Sequence, residues 1–541
     1  MIISIIAIAQ VSSTKVKVEF ITPKIVRVQW SAGGSLPGNN TGVCVYERQK
    51  VKSEEIVVKN EGGYISFIDR KTGKTLLRDV GRESEPVVQE RIVYDDATAR
   101  MEETANGKVT VKDIIRLDTI GESTRYISHF SCPDTKALYG LGAHMEDYMN
   151  LVGKTMWLTQ HNLKVMIPVL MSPQGYGLLF DAGCAMKYSS DGKGFTMQME
   201  AAKQIDYYFI KGDRMEDIVE GYRYLTGRVQ LLPLYAFGYI QSKERYVSSD
   251  DLINTMREYR RRHVPVDMIV QDWNYWPEGW GYMKMNRKYY PDPKALADSI
   301  HAMNARLMVS IWPNPQYCPE EKDFRKRGFM LEHSVYDVFN ADACRHYWKY
   351  ANDEFFSNGF DAWRCDSSEP LDGDWNKIPE SLGEKPYGWN DHERRWHLNK
   401  DVLSDALGAE RSSLYSLYHS MGLYENQRLT DSDKRVLNLT RSSYARQQRY
   451  ATVVWNGDTH ASCESYRQQI PAGLNYMATG NPYWTVDVGS FFVKNDYSLS
   501  LLAWDDSKQK LKLKIVKKSR IYNREIKVNV VKYILANHSW E

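Results

Sequence analysis

Several common signals are missing from this chain. Its seven cysteines (44, 132, 184, 318, 344, 365 and 463) are odd in number and scattered, and no Cys-x-x-Cys occurs. Neither a disulfide framework nor a zinc site of ordinary spacing is expected, so no metal is assigned. There is no charge excess: 71 Lys and Arg stand against 68 Asp and Glu, a net +3 with both signs interspersed. That argues against a nucleic-acid binder, which usually carries a basic stripe. No Gly-x-Gly-x-x-Gly and no P-loop occur, so nothing points to a nucleotide site. No apolar run is long enough to span a bilayer. The first ten residues, Met1-Ile-Ile-Ser-Ile-Ile-Ala-Ile-Ala-Gln10, read as the end of a signal peptide, with Ala-Ile-Ala resembling a cleavage site. They lack a positive n-region and read equally as a first strand. The first reading predicts a periplasmic or secreted protein, the second a cytoplasmic one.

At 541 residues the chain is too long for one core, and two or more domains are expected. Residues 11–230 alternate with a period near two, as in Ile25-Val-Arg-Val-Gln-Trp30 and Gly175-Tyr-Gly-Leu-Leu-Phe180. Turn residues punctuate them closely, which predicts an antiparallel β-sandwich. Met215–Tyr224 is the one clear helix in that half. From residue 231 strand-like runs alternate with helical stretches, which predicts a parallel sheet with right-handed crossovers. Seven strands can be counted from Phe237 to Asp487, one short of a closed (β/α)8 barrel. An open doubly wound sheet is the runner-up. Residues 496–541 form a short β-rich remnant, with a hairpin at Trp504 entering a basic strand and a second strand near Glu525.

Two of the strand-like runs stop at a carboxylate: Phe360-Asp-Ala-Trp-Arg-Cys-Asp366 and Ala451-Thr-Val-Val-Trp-Asn-Gly-Asp458. In a barrel the C-terminal strand ends are where chemistry happens. Two carboxylates on different strands are what glycoside hydrolysis needs, one to attack the anomeric carbon and one to protonate the departing oxygen. The 15 Trp and 36 Tyr suit a sugar binder, since aromatic faces stack on pyranose C–H faces. They suit large cores equally well.

At these residues the chain resembles glycoside hydrolase family 31, the retaining α-glucosidases and α-xylosidases, from about Tyr139 to Phe492. Tyr139-Gly-Leu-Gly142 resembles a motif of the family's N-terminal domain. Arg364-Cys-Asp366-Ser-Ser-Glu369 stands at the family's nucleophile motif, Trp455-Asn-Gly-Asp458 at its acid/base motif, and Arg441-Ser442 at its upstream Arg-Ser. The resemblance implies an N-terminal β-sandwich, a (β/α)8 barrel and C-terminal β-domains. It implies an exo-acting retaining α-glycosidase that releases terminal α-linked glucose or xylose from oligosaccharides, with no cofactor, no nucleic acid and no membrane. Asp366 and Asp458 would be catalytic. Asp272, Trp312, Arg441, Trp455 and Asp487 would bind the sugar, and Glu369 would support the loop. As a lone residue Asp272 would be a turn or helix cap, and Trp312 would be core. The Gln271–Trp276 loop and the stretch from Trp375 to Trp396 are the expected gatekeepers between glucose and xylose, which differ by one CH2OH.

Two departures stand out. Arg364 replaces an apolar aromatic of the family, and a charge in a barrel strand is costly unless paired. The family's last barrel strand, with its sugar-binding His, has no counterpart after Phe492, so the barrel is expected to lack one strand. These departures motivate the alternative of a non-catalytic, sugar-binding relic.

Overall fold

The computed structural model describes residues 16–47, 51, 54–104, 107–371, 391–491, 502–505 and 510–513. The first ten residues, most of the Trp375–Trp396 stretch and the run near Glu525 lie outside them. The alternating half forms two antiparallel sheets of six and seven strands. Period-two patterning places one face of each strand inward, and the inward faces share one core. Phe67 stacks on Phe209 at 4.2 Å between ring centroids, and Phe130 meets Tyr207 edge-on at 5.4 Å. One hairpin, Thr75–Thr104 with Gly107–Ser131, runs far beyond the sandwich. The predicted helix is α1 (Met215–Thr226).

The second half is a parallel sheet of seven strands in sequence order: β1 (Ile240–Gln241), β2 (Met268–Gln271), β3 (Arg306–Ile311), β4 (Ala362–Cys365), β5 (Asn438–Thr440), β6 (Thr452–Trp455) and β7 (Trp484–Thr485). Helices α2 (Ser249–Arg261), α3 (Pro293–Ala302), α4 (Pro319–Lys326), α5 (Ala341–Glu354), α6 (Asp391–Leu407), α7 (Tyr415–Thr430) and α8 (Cys463–Ala478) lie in the connections. Side-chain alternation splits the apolar residues into two layers. Met268, Val270, Met308, Ala362, Leu439 and Trp455 form one cluster inside the curled sheet. Ile269, Leu307, Val309, Ile311, Trp363 and Cys365 form another with the helices. Among the described residues β7 and β1 are not paired as strands. Phe237 and Tyr483 touch across the seam instead, with ring centroids 5.9 Å apart.

Two elements differ from the sequence reading. The strand expected from Phe237 begins at Ile240, because Leu234–Phe237 makes a 3₁₀ turn. The apolar spacing from Val402 to Leu423 reads as one helix, but the segment forms two, α6 and α7. Gly408, at φ +86°, ends the first of them where a side chain would be strained. The Trp504 hairpin forms, Leu502–Asp505 pairing antiparallel with Lys510–Leu513 as a separate sheet. All seven cysteines are unpaired. No helix of the described residues is long and apolar enough to cross a membrane.

The Tyr139-Gly-Leu-Gly142 motif shows why its second glycine is needed. Gly142 sits in a strand at φ +105°, where a Cβ would overlap the Val165 carbonyl oxygen and lie 2.9 Å from the Ile167 nitrogen. Gly142→Ala should therefore cost at least about 2 kcal/mol. Urea unfolding checks this, and an unchanged midpoint would show that the strand pair relaxes freely.

Candidate active site

Each barrel strand from β2 to β7 delivers one of the predicted residues just past its C-terminal end. Asp272 follows β2, Trp312 β3, Asp366 β4, Arg441 β5, Asp458 β6 and Asp487 β7. The charged side chains among them converge, because the sheet is curled and every strand runs the same way.

Arg441 is the hub. Its Nη1 lies 3.0 Å from Asp366 Oδ1 and 3.7 Å from Asp458 Oδ2. Its Nη2 donates to Glu369 Oε1. The two aspartate oxygens therefore lie no further apart than the sum of those first two distances. That is inside the roughly 9.5 Å beyond which two carboxylates cannot serve one glycosidic carbon. Asp366 is also held by the Ser367 backbone N–H at 2.8 Å and by Arg364 Nη1, 3.0 Å from Oδ2. The same Arg364 nitrogen donates to Asp272 Oδ1. Asp272 accepts a second bond from the Trp273 backbone N–H at 2.8 Å. The guanidinium of Arg364 lies over the Trp455 ring, 4.6 Å from its centroid.

Burial sets the protonation of the acids. It pushes Asp272 up to about 7 against the pull of Arg364, and the Asp366 charge adds to the rise. Burial pushes Asp487 up to about 6, again opposed by Arg364. Asp458 is raised by burial, with Arg441 opposing. Glu369 is raised by burial despite its bond to Arg441, and its Oε2 is buried without a hydrogen-bond partner among the described residues. Trp312 is half-buried, meets Trp280 edge-on at 5.0 Å between centroids, and keeps a buried indole N–H without a hydrogen bond. Trp455 is fully buried and supports Arg364 from below.

Sequence reasoning assigned no role to Asn162. It sits on a loop of the sandwich and reaches across to β6. Its Nδ2 donates to Asp458 Oδ2 at 2.8 Å, and the Asp458 backbone N–H donates to its Oδ1 at 3.0 Å. Gln160, two residues earlier, donates to the Ser443 carbonyl at 2.9 Å and accepts from the Ser442 hydroxyl at 3.0 Å. One signal was present in the Trp455-Asn-Gly-Asp458 run. A Cβ on Gly457, at φ +79°, would overlap Asn162 Oδ1 and lie 2.9 Å from the Leu163 nitrogen. The glycine is there to admit the sandwich loop. Arg364, read from sequence as a costly departure, proves to be paired on two sides.

The raised acids predict a pH-dependent stability. Asp487 ionises near 3.8 in the unfolded chain and near 6 when folded. Its contribution is therefore full below the lower value and is lost as pH rises through the upper one. Asp487→Asn keeps the neutral shape and should raise the melting temperature by roughly 2 °C at pH 8. The gain should vanish by about pH 4. Paired melts across that range decide it, and a gain independent of pH would contradict the assignment.

Comparison with known proteins gives the family. Residues 229–522 match the Glycosyl hydrolases family 31 TIM-barrel domain. An α-xylosidase of Saccharolobus solfataricus is 33% identical over 501 residues, covering 90% of this chain and 64% of its own length. An α-glucosidase of the same organism is 26% identical over 323 residues, covering 55% of this chain and 46% of its own. The fold is similar to that of a family 31 α-xylosidase from Xanthomonas citri, with a TM-score of 0.73 at 23% identity over 90% of this chain and 68% of that one. This chain thus spans just under two thirds of the length of the Saccharolobus α-xylosidase. The chain belongs to glycoside hydrolase family 31.

Proposed function

We propose that the protein is an exo-acting, retaining α-glycosidase that releases terminal α-linked xylose or glucose from oligosaccharides. The observation that carries this reading is the single guanidinium nitrogen of Arg441 shared by Asp366 and Asp458. It holds the carboxylates that follow β4 and β6, with β5 between them, at one spot on the face where barrel chemistry occurs.

The steps follow from the environments. Asp366 attacks the anomeric carbon, forming a C–O bond to the sugar. The bond from that carbon to the leaving oxygen breaks, and Asp458 gives that oxygen its proton. Burial raises the affinity of Asp458 for the proton that this step needs, with Arg441 opposing. A water then enters, gives its proton to Asp458 and attacks the same carbon, and the bond to Asp366 breaks. Two displacements restore the starting configuration. Asp272 accepts hydrogen bonds from sugar hydroxyls, and Trp312 offers a flat wall. Asn162 fixes the rotamer of Asp458 through its two hydrogen bonds. The double displacement itself uses carboxylates and water and calls on no cofactor. Xylose leads over glucose because a relative that covers 90% of this chain at 33% identity is an α-xylosidase.

Rates on aryl α-xyloside and aryl α-glucoside test the reading. Asp366→Ala should lose activity by about 10⁴-fold or more. Asp458→Ala should lose about 10²–10⁴-fold on substrates with poor leaving groups and far less on activated aryl glycosides. Near-wild-type rates in both variants would refute the assignment. Sugar binding without any turnover by the unmodified chain would favour the relic, for which the seam between β7 and β1, unpaired among the described residues, speaks.

A further inference from the structure

Arg364 has not been given a part in the steps above, yet it touches more of the site than any residue except Arg441. It lies on β4 between Trp363 and Cys365, and strand alternation sends both of these to the face opposite Arg364. Trp363 points outward, where its indole N–H donates to Gln427 at 2.8 Å and its ring meets Trp348 at 5.7 Å. Arg364 therefore points into the barrel, flanked across the ladder by Ser310 and Leu439 and lying over Trp455. Its guanidinium is almost fully buried.

We infer that Arg364 is a positioning residue, a buried cation that clamps the sugar-binding Asp272 and the attacking Asp366 onto one guanidinium nitrogen and so ties sugar recognition to the aim of the nucleophile. The inference rests on the function proposed above. A guanidinium Nη carries two N–H bonds in a fixed plane. Here one nitrogen serves an oxygen of Asp272 on β2 and an oxygen of Asp366 on β4. The plane is fixed from a third strand by Trp455 on β6. Three strand ends are thereby locked to one rigid group.

Stability alone does not account for such an arrangement. Replacing a buried ion triad by apolar side chains of similar volume is often neutral or stabilising. An aromatic at this position would fill the same space over Trp455 without desolvating a charge. What it would not do is hold two acids in register.

The clamp also has an electrostatic consequence. Four carboxylates face Arg364: Asp272 from β2, Asp366 from its own strand, Asp458 from β6 and Asp487 from β7. A second cation, Arg441, stands on the far side of Asp366. Asp272 stands at about 7 with the attraction of Arg364 included. Without that attraction it moves higher, is protonated at neutral pH, and no longer offers both oxygens to sugar hydroxyls.

The test compares Arg364→Met with Arg364→Lys by kcat/KM against pH, from 4 to 9, on an aryl α-xyloside. Methionine removes the charge. The acidic limb should move upward by at least about one pH unit. Lysine keeps the charge but is a compact point donor without the planar fork. Its limb should stay close to wild type while kcat falls at least about tenfold. A methionine profile that overlays the wild-type limb, merely scaled down, would overturn the inference. So would a lysine variant with wild-type kcat, which remains decisive if the methionine variant does not fold. A wild-type chain inactive on every α-glycoside would instead defeat the proposed function. The clamp would then be read from the pH dependence of xylose binding by calorimetry. The methionine variant should shift that in the same direction, and an unshifted curve would defeat the clamp as well.

Discussion

Five carboxylates share two guanidinium groups at one end of the barrel, and the rest of the structure serves that crowding. Asp272, Asp366, Glu369, Asp458 and Asp487 lie around Arg364 and Arg441. Fully ionised, such a set is three charges short of neutral. Buried like charges cannot all persist, so the fold must distribute protons as well as position atoms. Asp458, whose proton the proposed mechanism uses, is among those held above the ordinary range. Arg441 bridges three members of the set, which makes it the element whose loss would scatter the others.

The scaffold explains how this crowding is tolerated. The acids follow the short strands β2, β4, β6 and β7, of two to four residues each, in a curled sheet whose apolar faces pack inside and outside. The sandwich adds a second anchor. Its loop at Asn162 seals Asp458, and Gln160 pins that loop to the end of β5. Further contacts tie the same two layers together. The Arg446 side chain donates to the Gly42 carbonyl, and Tyr418 donates to that of Thr41 at 3.2 Å. The acid/base candidate is thus held from two domains, and loosening either is expected to be felt at the site.

The sequence made some of this legible and hid the rest for physical reasons. Asp366 and Asp458 could be read because each ends an apolar run, and a charge at the end of a buried strand is a conspicuous break in pattern. Asp272 and Asp487 could be placed at strand ends in the same way. Asn162 could not, because its partner is 296 residues away and nothing local marks a polar loop residue as a ligand of another domain. Gly457 carried a trace of that contact, since only a glycine admits the loop. Arg364 was visible as a misfit, but whether a buried charge is a cost or a clamp depends on partners that only the fold brings near. The split between α6 and α7 was missed because the apolar spacing continues across Gly408, and the glycine's backbone angle decides the break.

The central claim is that Asp366 forms the covalent bond to the sugar. A 5-fluoro-α-xylosyl fluoride, or its glucosyl counterpart, slows the second displacement and lets the intermediate accumulate. Peptide mapping by mass spectrometry then finds the labelled residue. The account predicts one fluoroglycosyl group on the peptide that contains Asp366, lost on incubation with an acceptor sugar. Label on Asp272 or Asp458, or turnover of the probe with inversion and no label at all, would contradict it.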